Sequence, residues 1–138
     1  MLLLIAIAFV ITGCGLSESF MRGQRMPNNA DNALMVFGGP NRNIYLGNIS
    51  LDPGNADSIY NKNGKYGDPS SELSISNKKG DYGSTTSALS ACNPDATNPP
   101  VLIDRYNTVL GEFTLNETFK SNLPVRMIDA LRKLCKTH

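Results

Sequence analysis

The chain has 138 residues, one domain's worth by length, and its 13 Lys and Arg against 12 Asp and Glu leave a net charge of +1. So even a balance excludes the concentrated basic surface that nucleic-acid phosphates require, and no nucleic-acid partner is expected. The one histidine is residue 138, which leaves no general base for a serine or cysteine nucleophile, so the chain reads as non-catalytic.

From Met1 to Ile11 the chain is apolar and uncharged, and it closes on Thr12-Gly13-Cys14. A membrane span needs roughly 20 apolar residues; here a polar stretch, Leu16 to Arg25, follows at once. A short apolar region ending in small residues marks a secretory signal peptide. With the cysteine, Ile11-Thr12-Gly13-Cys14 resembles the lipobox of bacterial lipoproteins. That resemblance implies removal of residues 1–13, and diacylglycerol and N-acyl chains on Cys14; no other cofactor and no metal is expected. No Lys or Arg precedes Leu2, so the reading frame begins upstream or the signal is atypical. Gly15, where an Asp commonly marks inner-membrane retention, implies by the same resemblance a lipid-anchored, extracytoplasmic protein of the outer membrane.

Residues 14–32 read as the acylated cysteine and a flexible tether without apolar period, and residues 33–138 as a single domain. Two segments then look alike. Ala33–Phe37 leads through a turn over Gly38–Asn43 into Tyr45–Asp52, and Val101–Ile103 leads through Asp104–Asn107 into Val109–Asn116. Each reads as a β-hairpin. Strict alternation places Tyr45, Gly47, Ile49 and Leu51 on one face of the first, with Val109, Gly111, Phe113 and Leu115 as counterparts in the second. No helix pattern or Lys/Ser follows Gly38-Gly39, so this pair reads as a turn and not a phosphate cradle.

Between the hairpins lies a tandem repeat of period 16. Ser58-Ile59-Tyr60-Asn61 with Gly64, Tyr66 and Gly67 recurs as Ser74-Ile75-Ser76-Asn77 with Gly80, Tyr82 and Gly83; Ser90-Ala91-Cys92-Asn93 begins a third copy. Side-by-side packing would stack Ile59/Ile75/Ala91, Tyr66/Tyr82 and Leu73/Leu89 as columns, with the hairpins as caps. The C-terminus reads as a helix from Asn122 to about Lys136, with Met127, Ile128, Leu131, Leu134 and Cys135 on one face and Arg126, Asp129, Arg132, Lys133 and Lys136 on the other. The fold expectation is therefore a β-rich α+β domain: two β-hairpins flanking a short 16-residue tandem repeat, with one C-terminal amphipathic helix. With Cys14 assigned to lipid, Cys92 and Cys135 most simply pair in an oxidising compartment; the alternative is two separate buried thiols.

Tyr45, Tyr60, Tyr66 and Tyr82 form either an aromatic strip for glycan stacking or packing for the repeat. Arg126, Arg132 and Lys133 form either a docking face or a solvated one. Asp57, Asp68, Asp81 and Asp95 can offer oxygen ligands to calcium, although nearby lysines dilute their charge. Asp104, Glu112 and Glu117 would serve a carboxylate-pair hydrolase only if they converged. Asn48 and Asn116 sit in glycosylation sequons, which the lipobox resemblance, by implying a bacterium, makes incidental.

Tyr45-Leu-Gly47, the Asn-x-x-Gly-x-Tyr-Gly repeats and Asn98-Pro-Pro-Val101 together resemble an uncharacterised group of bacterial exported proteins. The resemblance covers roughly Tyr45 to Leu115 and implies one exported repeat domain, with no activity attached. The functional expectation is a non-catalytic adaptor or accessory structural subunit of a cell-envelope assembly, with the membrane and an envelope protein as partners and no small-molecule substrate. The alternative is a ligand-binding module for cell-wall glycan or calcium.

Overall fold

The computed structural model describes residues 34–136. The lipobox, Cys14, the tether, Ala33 and His138 lie outside them. Four short strands, β1 (Met35–Gly38), β2 (Ile44–Asn48), β3 (Val101–Ile103) and β4 (Val109–Glu112), form one antiparallel sheet in the order β2-β1-β3-β4. The two hairpins are thus halves of a single sheet, joined where Met35 faces Ile103, Val36 faces Leu102 and Phe37 faces Val101. Both central strands are apolar throughout because both of their faces are buried. Val36 and Leu102 enter the main core with Leu46, Ile59, Ile75 and Leu131. Met35, Phe37, Val101 and Ile103 form a second cluster with Tyr45 packed against it.

Strict alternation along the hairpins' second strands does not hold. Gly47 takes φ +105°, and the β1–β2 register shifts between Met35 and Phe37. This bulge puts Tyr45 with the second cluster and Ile49 against the main core. A Cβ at Gly47 would stand 2.7 Å from Asp57 O, so only glycine admits the first coil of the repeat region here. Leu51 lies beyond the strand and is 87% exposed. In the second hairpin Val109 is exposed, while Phe113 and Leu115 pack into the core after β4 has ended.

Residues 49–100 contain no helix or strand beyond one parallel bridge between Asn48 and Ser58. Their backbone is closed by turns spaced three residues apart. The amides of Ser58, Asn61 and Gly64 donate to the carbonyls of Asn55, Ser58 and Asn61, and those of Ser74, Asn77 and Gly80 donate to Ser71, Ser74 and Asn77, at 2.9–3.2 Å. Buried Ser58, Ser74 and Ser90 each accept, through Oγ, the amide two residues on at 3.0–3.1 Å. Asn61, Asn77 and Asn93 each donate Nδ2 to the carbonyl six residues back, at Asn55, Ser71 and Ser87, and accept the amide two residues on through Oδ1. Gly67 and Gly83 pass so close to the Asn61 and Asn77 carbonyls that any Cβ would collide with them.

The sheet closes both ends of this region. Asn48 N donates to Asp57 O (2.8 Å) and Ile59 N to Asn48 O (3.0 Å) at the start; Leu115 N donates to Ala91 O (2.9 Å) at the end. Asn98 Nδ2 ties the far end to Pro40 O (2.9 Å), and its Oδ1 accepts Arg42 Nε (3.2 Å), pinning the β1–β2 turn.

The helix, α1 (Val125–Lys136), begins later than Asn122; its first turn closes through Met127 N to Pro124 O (2.8 Å). Proline at the first turn loses no bond that the helix would otherwise make. Leu131 and Leu134 are buried, with Met127, Ile128 and Cys135 beside them, while Arg126, Asp129, Arg132, Lys133 and Lys136 are exposed. Lys133 and Lys136 complement the negative end of the helix dipole. Cys92 and Cys135 form a disulfide with Cα atoms 5.6 Å apart across a separation of 43 residues. Closing such a loop stabilises by about 4 kcal/mol in the chain-entropy account.

Replacing Cys92 by Ser should lower the midpoint of thermal unfolding by roughly 10–20 °C in calorimetry, from a loss of about 2–4 kcal/mol. Asn77→Ala removes one of the two bonds to the Ser71 carbonyl, which keeps the Ser74 amide, and takes away the acceptor of the Lys79 amide. It should lower the urea unfolding free energy by about 1–2 kcal/mol.

Candidate functional site: a groove between the first coil and the helix

One face of α1 stands off the coil and leaves an open groove of about 600 Å³. Leu51 and Tyr60 line its coil side, and Ala130 and Leu134 its helix side. Three cations belong to the same lining: Lys62 from the coil, and Arg126 and Lys133 from the helix. Seven residues of helix rise about 10 Å, so Arg126 and Lys133 lie on one side of α1 and two turns apart. Among the described residues none of the three has a carboxylate partner. Asp129, also in the lining, is engaged instead by Arg132, whose Nη1 donates to Oδ1 at 2.6 Å. The groove therefore combines apolar walls with an uncompensated positive rim.

The candidate surface residues separate into three groups. Tyr60, Arg126 and Lys133 meet at the groove. Arg132 is committed to Asp129. Tyr66 and Tyr82 leave the proposed strip: Tyr66 meets the Tyr45 ring edge-on at a centroid distance of 5.0 Å, and Tyr82 is buried in the main core. Tyr66 is half-buried against Tyr45 and Tyr82 is buried, so the two do not line up as one exposed strip.

Carboxylates are similarly dispersed. Glu112 pairs with Arg42 at 3.6 Å. Asp104 Oδ1 accepts the Thr108 and Tyr106 amides within its own turn, which holds its carboxyl below the usual range. Asp68 Oδ1 accepts the Ser70 amide and hydroxyl and is lowered in the same way. Glu117 is exposed. Among the described residues no three His, Cys, Asp or Glu side chains converge as a metal site. Both sequon asparagines are buried, Asn48 to 2% and Asn116 to 7% exposure, and Asn116 Nδ2 donates to Ala96 O (2.8 Å).

Sequence reasoning missed Leu51 and Lys62. Alternation places Leu51 on one strand face with Tyr45, Gly47 and Ile49, and nothing in the pattern reveals that the strand stops at Asn48. Lys62 was visible only as turn composition, although its position two residues after Tyr60 fixes both to the same coil. No protein-family model, curated protein or solved structure matches the chain.

Burial raises the Tyr60 phenol above its ordinary value. It raises that of Tyr45 further, with help from the Asp57 carboxylate. The Tyr45 hydroxyl is buried without a hydrogen-bond partner among the described residues. The folded state thus holds these protons more tightly than the unfolded state, in which tyrosine ionises near pH 10. Stability should be intact below about pH 10 and fall as pH rises beyond it. Thermal midpoints measured across that range, alongside absorbance of tyrosinate, check the sign; a domain that gains stability above pH 10 contradicts it.

Proposed function

We propose that this chain is a non-catalytic outer-membrane lipoprotein, anchored through acylated Cys14, that serves as an adaptor or accessory structural subunit of a cell-envelope assembly. In this reading the 16-residue units are one short stack, the hairpins are its caps, and the helix stapled to it supplies the recognition surface. The observation that carries the reading is the groove between coil and helix, with Leu51 exposed at its edge and Lys62, Arg126 and Lys133 lacking partners among the described residues. Apolar surface ringed by unpaired charge is how a surface that recognises another molecule is built. The Cys92–Cys135 disulfide supports an oxidising, extracytoplasmic setting, and the lipobox supplies the anchor.

A second reading, a glycan-binding module, rests on Tyr60, the repeat tyrosine that lines the groove. It predicts retention on cell-wall material that is lost in Tyr60→Ala.

The adaptor reading predicts that crosslinking in intact cells, then purification from membranes and mass spectrometry, yields a stoichiometric envelope protein. The partner should be lost when Cys14→Ala removes the anchor. Recovery of the acylated protein alone would overturn the reading.

A further inference from the structure

We infer that the groove takes an acidic peptide segment of the partner protein, with an apolar side chain seated against Leu51 and Tyr60 and carboxylates on Lys62, Arg126 and Lys133; this rests on the adaptor reading above. Charge complementarity carries the choice of an anionic ligand. All three uncompensated groups in the lining are cations, and the one acid among them is held by Arg132. Geometry carries the choice of a peptide. Arg126 and Lys133 are about 10 Å apart along α1, wider than one phosphate can bridge, whereas carboxylates three residues apart in an extended segment are separated by about 10 Å. The site is also concave, about 600 Å³ in volume and open to solvent. A flat bilayer meets the rim of such a recess but leaves its walls uncovered; a single chain can occupy it. The long aliphatic stems of Arg and Lys add apolar contact while their heads reach the carboxylates. Leu51, 87% exposed, is a large apolar side chain for which the fold itself has no use.

The full acylated protein, solubilised in detergent, would be titrated against fluorescein-labelled Gly-Glu-Leu-Ser-Glu-Leu-Ser-Glu-Gly and its all-Lys counterpart, with anisotropy as the readout. Saturable binding of the acidic peptide alone is expected, weakening steeply as salt rises from about 0.05 to about 0.5 M. Arg126→Glu with Lys133→Glu should weaken it tenfold or more, and Leu51→Ser about threefold. These side chains are exposed or line an open groove, so circular dichroism and the thermal midpoint should stay unchanged. Absence of peptide binding, or binding indifferent to the double variant, overturns the inference. So does binding of phosphatidylglycerol vesicles, and not of the peptide, through Arg126 and Lys133; the site would then belong to a lipid surface. The two readings fail separately in cells. A crosslinked partner that survives the double variant leaves the adaptor and removes the groove, and peptide binding without any partner does the reverse.

Discussion

A peptide chain that leaves a sheet must still satisfy its buried amides and carbonyls, and in this protein about fifty residues do so without helix or strand. The solution is local. Backbone turns close every three residues, and a serine or asparagine at the turn positions accepts or donates the bonds that the turns leave over. Ser58, Ser74 and Ser90 are fully buried yet satisfied, because each hydroxyl accepts from its own backbone two residues on. Once the polar groups are settled in this way, Ile59, Ile75 and Ala91 are free to join the main core with Val36, Leu46 and Leu102.

The rest of the architecture holds that coil in place. Asn48 in β2 zips to Ile59 at one end and Leu115, beyond β4, to Ala91 at the other. The bulge at Gly47 makes the first junction possible, since any side chain there would strike Asp57. The helix comes last in the chain and completes the core through Leu131 and Leu134, with the disulfide fixing its distal turn. The groove is what remains between a coil whose outline is set by its turns and a helix whose position is set by two leucines and a covalent bond. Its cations are not held by the fold's own ion pairs, which go to Glu112 and Asp129.

Much of this was legible in the chain. The two hairpins, the helix with its apolar stripe and the Cys92–Cys135 pairing follow from period, turn residues and cysteine number, because each is determined by near neighbours or by simple exclusion. Registry was not legible. Leu51 reads as a strand residue on the face of Tyr45 and Ile49 because alternation cannot show a bulge at Gly47 or a strand end at Asn48. Nor could the tyrosines be placed, since Tyr82 is buried in the core and Tyr60 is half-buried at the groove, although both occur in the same region. The three-residue spacing of Ser71, Ser74 and Asn77, and again of Ser87, Ser90 and Asn93, is present in the sequence, yet a period of 16 does not by itself reveal the continuous chain of turns. The groove brings together residues far apart in sequence, such as Lys62 and Lys133, and no local pattern encodes it.

The position of β1 has a mechanical side. It is the first described strand, yet it lies in the interior of the sheet, bonded to β2 on one edge and β3 on the other. A pull arriving through the residues before Leu34 runs along β1, and loads both rows of hydrogen bonds in shear at the same moment. An edge strand would peel, one bond after another, under a much smaller force. A load entering from that side therefore meets the two central rows of hydrogen bonds before it can unravel residues 49–100.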